Sequence, residues 1–349
     1  MKKLIEQLCA LLDDGEDLVL VTISSQSGST PRLAGAKMII RRDGRIAGTI
    51  GGGLVEAQAM QEAGNCFAKG HSIRQIFDLS NHDAAGTDMI CGGKLELFLE
   101  FIRASKENKT LFQALLTAMA SGRRVTLVCS LDPDSCDRRF VIDHQGRSCH
   151  DQVPDGLLAA VKQLRSSTSA ATLINHEGRE YLISYFAVGG NLFLIGAGHV
   201  AACTAEAAAR VGFRVTVMDD RIEFANRDRF PLADEIMVLS SFADCFNGFE
   251  MDGDSYLVIV TRGHMHDMEV LGQALQTSAG YIGMIGSRKK RNAIYARLLD
   301  KGFNEAQLEQ VRCPIGMAIE ADTPEEIAVS IVGELIYQRA TGRKAWHLV

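Results

Sequence analysis

The sequence has no C-x-x-C pair, no excess of positive charge and no long apolar run, and each absence removes a class of protein. Its nine cysteines, an odd number, are scattered singly from Cys9 to Cys313. Without paired spacing, neither a disulfide framework nor a structural zinc site is expected, and the chain reads as one kept in a reducing cytoplasm. Acidic residues outnumber basic ones, 43 to 37, for a formal charge of -6. No global positive field is therefore available to gather nucleic acid or anionic lipid. No uninterrupted apolar stretch approaches the roughly 20 residues a bilayer requires. The Lys2-Lys3 start runs into Glu6, Asp13 and Asp14, and no small-residue cleavage signal follows. Internal repeats and low-complexity tracts are also missing. These absences leave small molecules and proteins as the expected partners, with no nucleic acid and no membrane.

What is present is the balance of a folded, water-soluble chain, 46% hydrophobic and 23% charged. A length of 349 residues suits two domains of roughly 150 to 190 residues each. The helical spacing of Leu4, Ile5, Leu8, Leu11 and Leu12 predicts an opening helix over 2–13, ended by Asp13-Asp14-Gly15. A strand over 18–23 follows, and the polar run 24–31 is rich enough in turn formers to read as a loop. A hairpin over 37–41 and 45–49, a helix over 54–69 and a strand over 94–102 come next. Residues 106–188 are less legible, with a helix near 111–121, strands near 124–130 and 140–143, then an element over 157–164 and two more short strands. The small residues 187–191 mark a boundary. We therefore expect a mixed α+β N-terminal domain over 1–188 and a Rossmann-like, doubly wound parallel-sheet domain over 189–349, an α/β protein overall.

The second domain opens on a buried strand, 192–195, then Gly196-Ala197-Gly198-His199-Val200-Ala201 and a helical run. Strand, G-x-G-x-x-A and helix in that order are the context of a dinucleotide-binding turn. Gly196 makes the tight turn and Gly198 lets backbone approach a diphosphate, while Asp219, at the end of the next strand, stands where a ribose hydroxyl is held. His199 opens the helix and could donate to a phosphate or serve as a cap. Thr261-Arg262-Gly263-His264-Met265-His266-Asp267 follows a later strand, at the sheet edge where ligands bind. Ser287 and Arg288 begin a basic helix, a second anion site or simply a solvated face. H-x-H-D with no third ligand nearby is too thin for a metal, and none is assigned.

In the first domain, Gly28-Ser29-Thr30-Pro31-Arg32 joins hydroxyls, a flexible backbone, a rigid turn and a guanidinium suited to bidentate phosphate contact. Lys37 adds a cation shortly after. Gly51-Gly52-Gly53 precedes a helix whose free amides and positive dipole end point at whatever occupies the loop. Two such loops make a phosphate cradle, or merely two tight turns. Cys91 lies between Met89-Ile90 and two glycines. A thiol there reads either as nucleophile, sulfur carrier or metal ligand, or as an ordinary small core residue.

Taken together, GSTPRLAGAKM (28–38), DGRIAGTIGGGLVE (43–56), ICGG (90–93), LIGAGHVA (194–201), VMDDR (217–221), YIGMIGSRKKR (281–291), CPIGM (313–317) and TPEEIAVSIVGEL (323–335) resemble the XdhC/CoxI family. Members of that family are maturation factors of molybdenum hydroxylases such as xanthine dehydrogenase and aldehyde oxidoreductase. The resemblance covers both domains, with little contribution from 106–188. It implies a homodimeric chaperone that binds molybdenum cofactor, as molybdopterin or its dinucleotide form. Such a chaperone protects the cofactor, promotes its sulfuration with a cysteine desulfurase and inserts it into the apo-molybdenum hydroxylase, with Cys91 the candidate for assisting sulfuration. Two other readings stay open. One is an NAD(P)-dependent oxidoreductase using Gly196 and Asp219, with His264 or His266 as base; the other is an adaptor that has lost its ligand.

Overall fold

The computed structural model of the protein describes residues 1–78, 93–132, 139–148, 153–164, 170–186 and 189–341. They belong to two compact units, Met1–Ala187 and Val188–Val349. The first is built on antiparallel sheets and the second on a parallel one, which is the α/β architecture expected.

In the first unit, α1 (Lys2–Asp13) buries Leu4, Ile5, Leu8 and Leu12. Then come β1 (Leu18–Ser27), β2 (Lys37–Arg41), β3 (Ile46–Gly48), α2 (Gly53–Lys69), β4 (Ile73–Asp78) and β5 (Lys94–Ile102). The order β3-β2-β1-β5-β4 makes one sheet. After α3 (Lys106–Ala120), the strands β6 (Val125–Ser130) and β7 (Arg139–Ile142), helix α4 (Asp155–Leu164), and strands β8 (Ala171–His176) and β9 (Arg179–Phe186) complete the unit. A second sheet runs β7-β6-β9-β8.

Alternation along β1 sorts its residues between two environments. Val19, Val21 and Ile23 pack with Met38, Leu97 and Leu99 beneath Val55, Ala59 and Cys66 of α2. On the opposite face, Phe98 meets Cys129 and Leu182 of the second sheet. That interior also holds charge. Lys37, 5% exposed, donates to Thr22 Oγ1 at 2.9 Å and Ser184 Oγ at 3.0 Å. Nearby, Glu100 accepts from Arg139 Nε and from the Cys129 thiol, and Arg139 also donates to Asn108 Oδ1 at 3.1 Å. Burial pushes the Lys37 ammonium down to about 8, opposed by the negative charge of Glu100.

β1 does not stop at Ile23. A bulge between Ile23 and Ser25 re-registers the strand, so that Ser25, Gln26 and Ser27 pair with Glu96, Leu95 and Lys94. The polar run reads as loop on composition alone, yet its backbone has a partner strand waiting. This extension carries Gly28 to the end of β5 where Gly93 lies.

The second unit contains β10 (Asn191–Ile195), α5 (His199–Arg210), β11 (Arg214–Asp219), β12 (Glu235–Val238), β13 (Ser255–Ile259), α6 (His264–Ala274), β14 (Tyr281–Met284), α7 (Arg288–Asp300), α8 (Glu305–Leu308), β15 (Val311–Arg312) and α9 (Pro324–Thr341). Its sheet order is β12-β11-β10-β13-β14-β15. Leu192, Leu194, Val215 and Val217 are covered by α5 and α9, whereas Phe193, Ile195, Leu257 and Ile259 are covered by α6 and α7. Strand order reverses between β10 and β13, which makes the carboxyl ends of those two strands the topological switch point. Gly196 sits there at φ +111°, and a Cβ on it would lie 2.4 Å from the Val260 carbonyl oxygen. Only glycine allows that approach.

Candidate functional site

Three glycine-bearing segments converge in the first unit. A Cβ on Gly51 would stand 2.7 Å from Pro31 Cγ and 3.8 Å from Arg32 Cγ. One on Gly93 would stand 2.4 Å from the Ser27 carbonyl oxygen and 2.9 Å from Thr30 Cγ2. The 28–32 loop is thus gripped from both sides by backbone that carries no side chain. Glycine is required for close approach at both contacts, and at Gly51 also for a φ of +130°. Gly28 and Ser29 face outward, and the Thr30 hydroxyl donates to the Arg32 carbonyl at 3.1 Å. Arg32 is exposed, and its guanidinium has no hydrogen-bond or ion-pair partner among the described residues. Leu33, beside it, is 72% exposed.

The turn into α2 is not the set of free amides expected from its sequence. Glu56, in the first turn of the helix, reaches back so that Oε1 accepts from Thr49 Oγ1 at 2.6 Å, Ile50 N at 3.0 Å and Gly52 N at 2.9 Å. The Gly51 amide donates instead to Thr49 Oγ1 at 3.1 Å. Burial works against ionisation of Glu56, but these donors outweigh it and hold the carboxyl below its ordinary range. The amides of Gly53 and Leu54 take no acceptor among the described residues. The sequence reading does not single out Glu56. The signal that could have found it is a glutamate at the fourth helical position after three glycines, within capping reach of the turn.

Lys37 is not part of this loop cluster. As the first residue of β2, it points between the two sheets, and its ammonium is used up by Thr22 and Ser184. Strand alternation explains the difference, because Met38 occupies the α2 side and leaves Lys37 to the other. Cys91 lies outside the described residues.

In the second unit, the helices α5, α6 and α7 begin at the carboxyl ends of β10, β13 and β14. Gly198 caps α5 with open space where a Cβ would be, and His199 is exposed at the first helical position. His264 is likewise exposed at the start of α6. Ser287 caps α7 by accepting from Lys290 N at 3.3 Å, and Arg288 is exposed. Asp219 does not face this crevice. It is 1% exposed, and its Oδ2 accepts from Ala197 N at 2.8 Å while Oδ1 accepts from Arg221 Nε at 2.9 Å. The carboxylate expected on a ribose instead ties the glycine turn to β11. The neighbouring Asp220 pairs with Arg262, which holds its carboxyl below the ordinary range.

The segment 261–267 also places its weight differently from the sequence expectation. Its histidines stay near the surface, whereas Asp267 is wholly buried, accepts from Thr261 Oγ1 at 2.6 Å and pairs with Lys290. Among the described residues, no group of three or more His, Cys, Asp or Glu could hold a metal ion. No described helix is long and apolar enough to cross a membrane.

Comparisons with known proteins follow the same two-part layout. Residues 192–335 match the model of the XdhC Rossmann domain, and residues 11–78 match that of the XdhC and CoxI family. A Bacillus subtilis protein described as a probable xanthine dehydrogenase subunit is 28% identical over 338 residues, spanning 95% of this chain and 96% of its own. The Escherichia coli molybdenum cofactor insertion chaperone PaoD is 22% identical over 328 residues, spanning 93% and 84%. A Bacillus halodurans crystal structure described as a xanthine dehydrogenase aligns at TM-score 0.75 and 26% identity, covering 97% of this chain and 96% of that one. With one model matched in each unit and full-length relatives across both, the chain belongs to the XdhC and CoxI family.

Proposed function

We propose that this protein is a maturation chaperone that binds molybdenum cofactor, protects it and inserts it into a molybdenum hydroxylase of the xanthine dehydrogenase or aldehyde oxidoreductase type. Family membership and the named role of PaoD support this reading. The observation that carries it is the convergence of the 28–32 loop, the Gly51 turn and Gly93 around an exposed, unpaired Arg32. Molybdenum cofactor ends in a phosphate or a dinucleotide. A planar guanidinium held on a supported loop takes such a group bidentately, and the Gly53 and Leu54 amides add donors at a helix start. In this reading Cys91 assists sulfuration with a cysteine desulfurase, and the chain works as a cytoplasmic homodimer.

The nicotinamide-dependent alternative finds less support. A Rossmann-like fold hosts many functions and does not by itself indicate turnover. The acid it relies on, Asp219, is already held by Ala197 and Arg221. His264, its candidate base, is exposed with no partner that would orient it among the described residues.

The test is to purify the protein from molybdate-replete cells and measure molybdenum and pterin per chain, together with activation of an apo-hydroxylase. Wild-type protein is expected to carry both. Arg32→Ala should retain less than a tenth of the cofactor with an unchanged melting temperature. Wild-type retention and activation by Arg32→Ala would refute the site. NAD(P)H binding without any molybdenum or pterin would instead favour the oxidoreductase.

A further inference from the structure

Glu56 spends its carboxylate in an unusual place. It draws three donors from one turn onto a single oxygen, Thr49 Oγ1, Ile50 N and Gly52 N. That turn carries three successive glycines at positive φ, Gly51 at +130°, Gly52 at +77° and Gly53 at +59°. Such a stretch has more backbone freedom to lose than any other composition. Nothing in its own side chains can restrain it. Its restraint comes from Glu56 behind it, from Thr49 Oγ1 accepting the Gly51 amide, and from the buried Ile50.

The turn in turn supports the loop that bears Arg32. Gly51 lies flush against the Pro31 ring, so close that a methyl group would not fit between them. Pro31 fixes the backbone just before Arg32. A shift of the turn by an ångström would leave the ring without its seat, and the direction of Arg32 would no longer be set from that side. The other side of the loop, at Ser27 to Thr30, is held independently by Gly93.

We infer that Glu56 is a positioning residue of the cofactor site: it locks the Gly51 turn and, through the Gly51–Pro31 contact, aims Arg32 at the cofactor's anionic end. This rests on the reading of Arg32 as the cofactor-binding group. Glu56 itself does not touch the cofactor. Its carboxylate is engaged by the turn, and a second anion placed against the same amides would be repelled by it. The cofactor's anionic group is therefore received by Arg32 and the helix-start amides of Gly53 and Leu54, beyond the donors that Glu56 occupies. The internal carboxylate thus both shapes the turn and limits which of its amides face the cofactor.

The experiment compares Glu56→Ala and Glu56→Gln in the full-length chain. Glutamine keeps an oxygen that can accept the same three donors, whereas alanine removes it. Amide hydrogen exchange gives a readout that needs no cofactor. Glu56→Ala is expected to speed exchange at least tenfold across 50–52, and to raise it severalfold at Gly35 and Ala36, whose amides donate to the Ile23 and Leu33 carbonyls and close the loop that bears Arg32, as the Pro31 seat loosens. Glu56→Gln should restore most of the protection in both stretches. In protein purified from molybdate-replete cells, Glu56→Ala should retain less than a fifth of the wild-type molybdenum and pterin, and Glu56→Gln more than half. Faster exchange confined to 50–52, with Gly35 and Ala36 unchanged, would overturn the coupling to Arg32. Full cofactor retention by Glu56→Ala would overturn it as well, as would failure of Glu56→Gln to rescue either readout. Wild-type protein carrying neither molybdenum nor pterin would defeat the chaperone reading instead, and the exchange at Gly35 and Ala36 would still decide whether Glu56 governs that loop.

Discussion

Replacing Lys37 with methionine probes the charged interior of the first unit, and its consequence should depend on pH. Folding moves this ammonium from water to a site 5% exposed, between Thr22 and Ser184 and close to Glu100, Cys129 and Arg139. The amine drops from an ordinary 10.5 to about 8. Between those values the unfolded chain holds a proton that the folded chain has released, so wild-type stability must rise with pH across that window. At about 1.4 kcal/mol per tenfold change in proton concentration, the rise amounts to roughly 3 kcal/mol. Below pH 8 Lys37 is charged in both states, and the full cost of burying the charge is present. Methionine abolishes that cost but leaves the two hydroxyls without their donor, at about 1 kcal/mol each. The variant should therefore be close to wild type at pH 7 and fall behind it by ~3 kcal/mol by pH 10.5. Urea unfolding of both proteins at half-unit pH steps provides the assay. Taking the difference between them cancels the titration of other groups. A difference that stays level from pH 7.5 to 10.5 would show that Lys37 is not the buried, proton-releasing group described.

Gly51→Ala should destabilise the first unit by roughly 1 to 3 kcal/mol, because φ +130° disfavours an L side chain and the new methyl would meet Pro31. Thermal melting would reveal that loss, and a wild-type melting temperature would argue against the Gly51–Pro31 seat. Asp219→Ala strips the buried acceptor from the Ala197 amide and from Arg221, and should cost the second unit roughly 3 kcal/mol. Denaturant unfolding checks this, and an unperturbed second unit would mean that the carboxylate does not hold the turn. His264→Ala removes an exposed side chain and should leave stability within about 0.5 kcal/mol of wild type. A larger loss on the same denaturant curve would show a contact that exposure does not suggest.

The parts of the fold that sequence makes plain are those in which one periodicity dominates. The opening helix announces itself through Leu4, Ile5, Leu8 and Leu12, and β5 through its apolar run. In the second unit, the strand, G-x-G-x-x-A and helix order foretells both β10 and α5. Where structure departs from that reading, a long-range partner has overridden local composition. Ser25, Gln26 and Ser27 extend because Glu96, Leu95 and Lys94 are there to pair with them. β4 escapes sequence reading because an edge strand with Ile76 66% exposed lacks a clean inward stripe.

The candidate site divides along the same line. Glycine clusters and Arg32 stand out in the chain because they are unusual locally. The roles of Asp219, Lys37 and Asp267 depend on what their charges meet across the fold. A carboxylate that binds a ribose and one that ties down a turn look alike in one dimension. Lys37 lies among residues of the loop motif, yet the pleat turns it inward. Glu56 is near the glycines in sequence, but only the direction of its side chain reveals that it closes the turn.

The bond between Asp219 and the Ala197 amide has a wider consequence. Glycine bends of this kind often owe their shape to the phosphate they surround, and such a bend slackens when the phosphate departs. Here the counter-charge is supplied by the polypeptide itself, 22 residues further along. The bend is therefore held by the chain's own carboxylate, and its shape does not wait on any bound group.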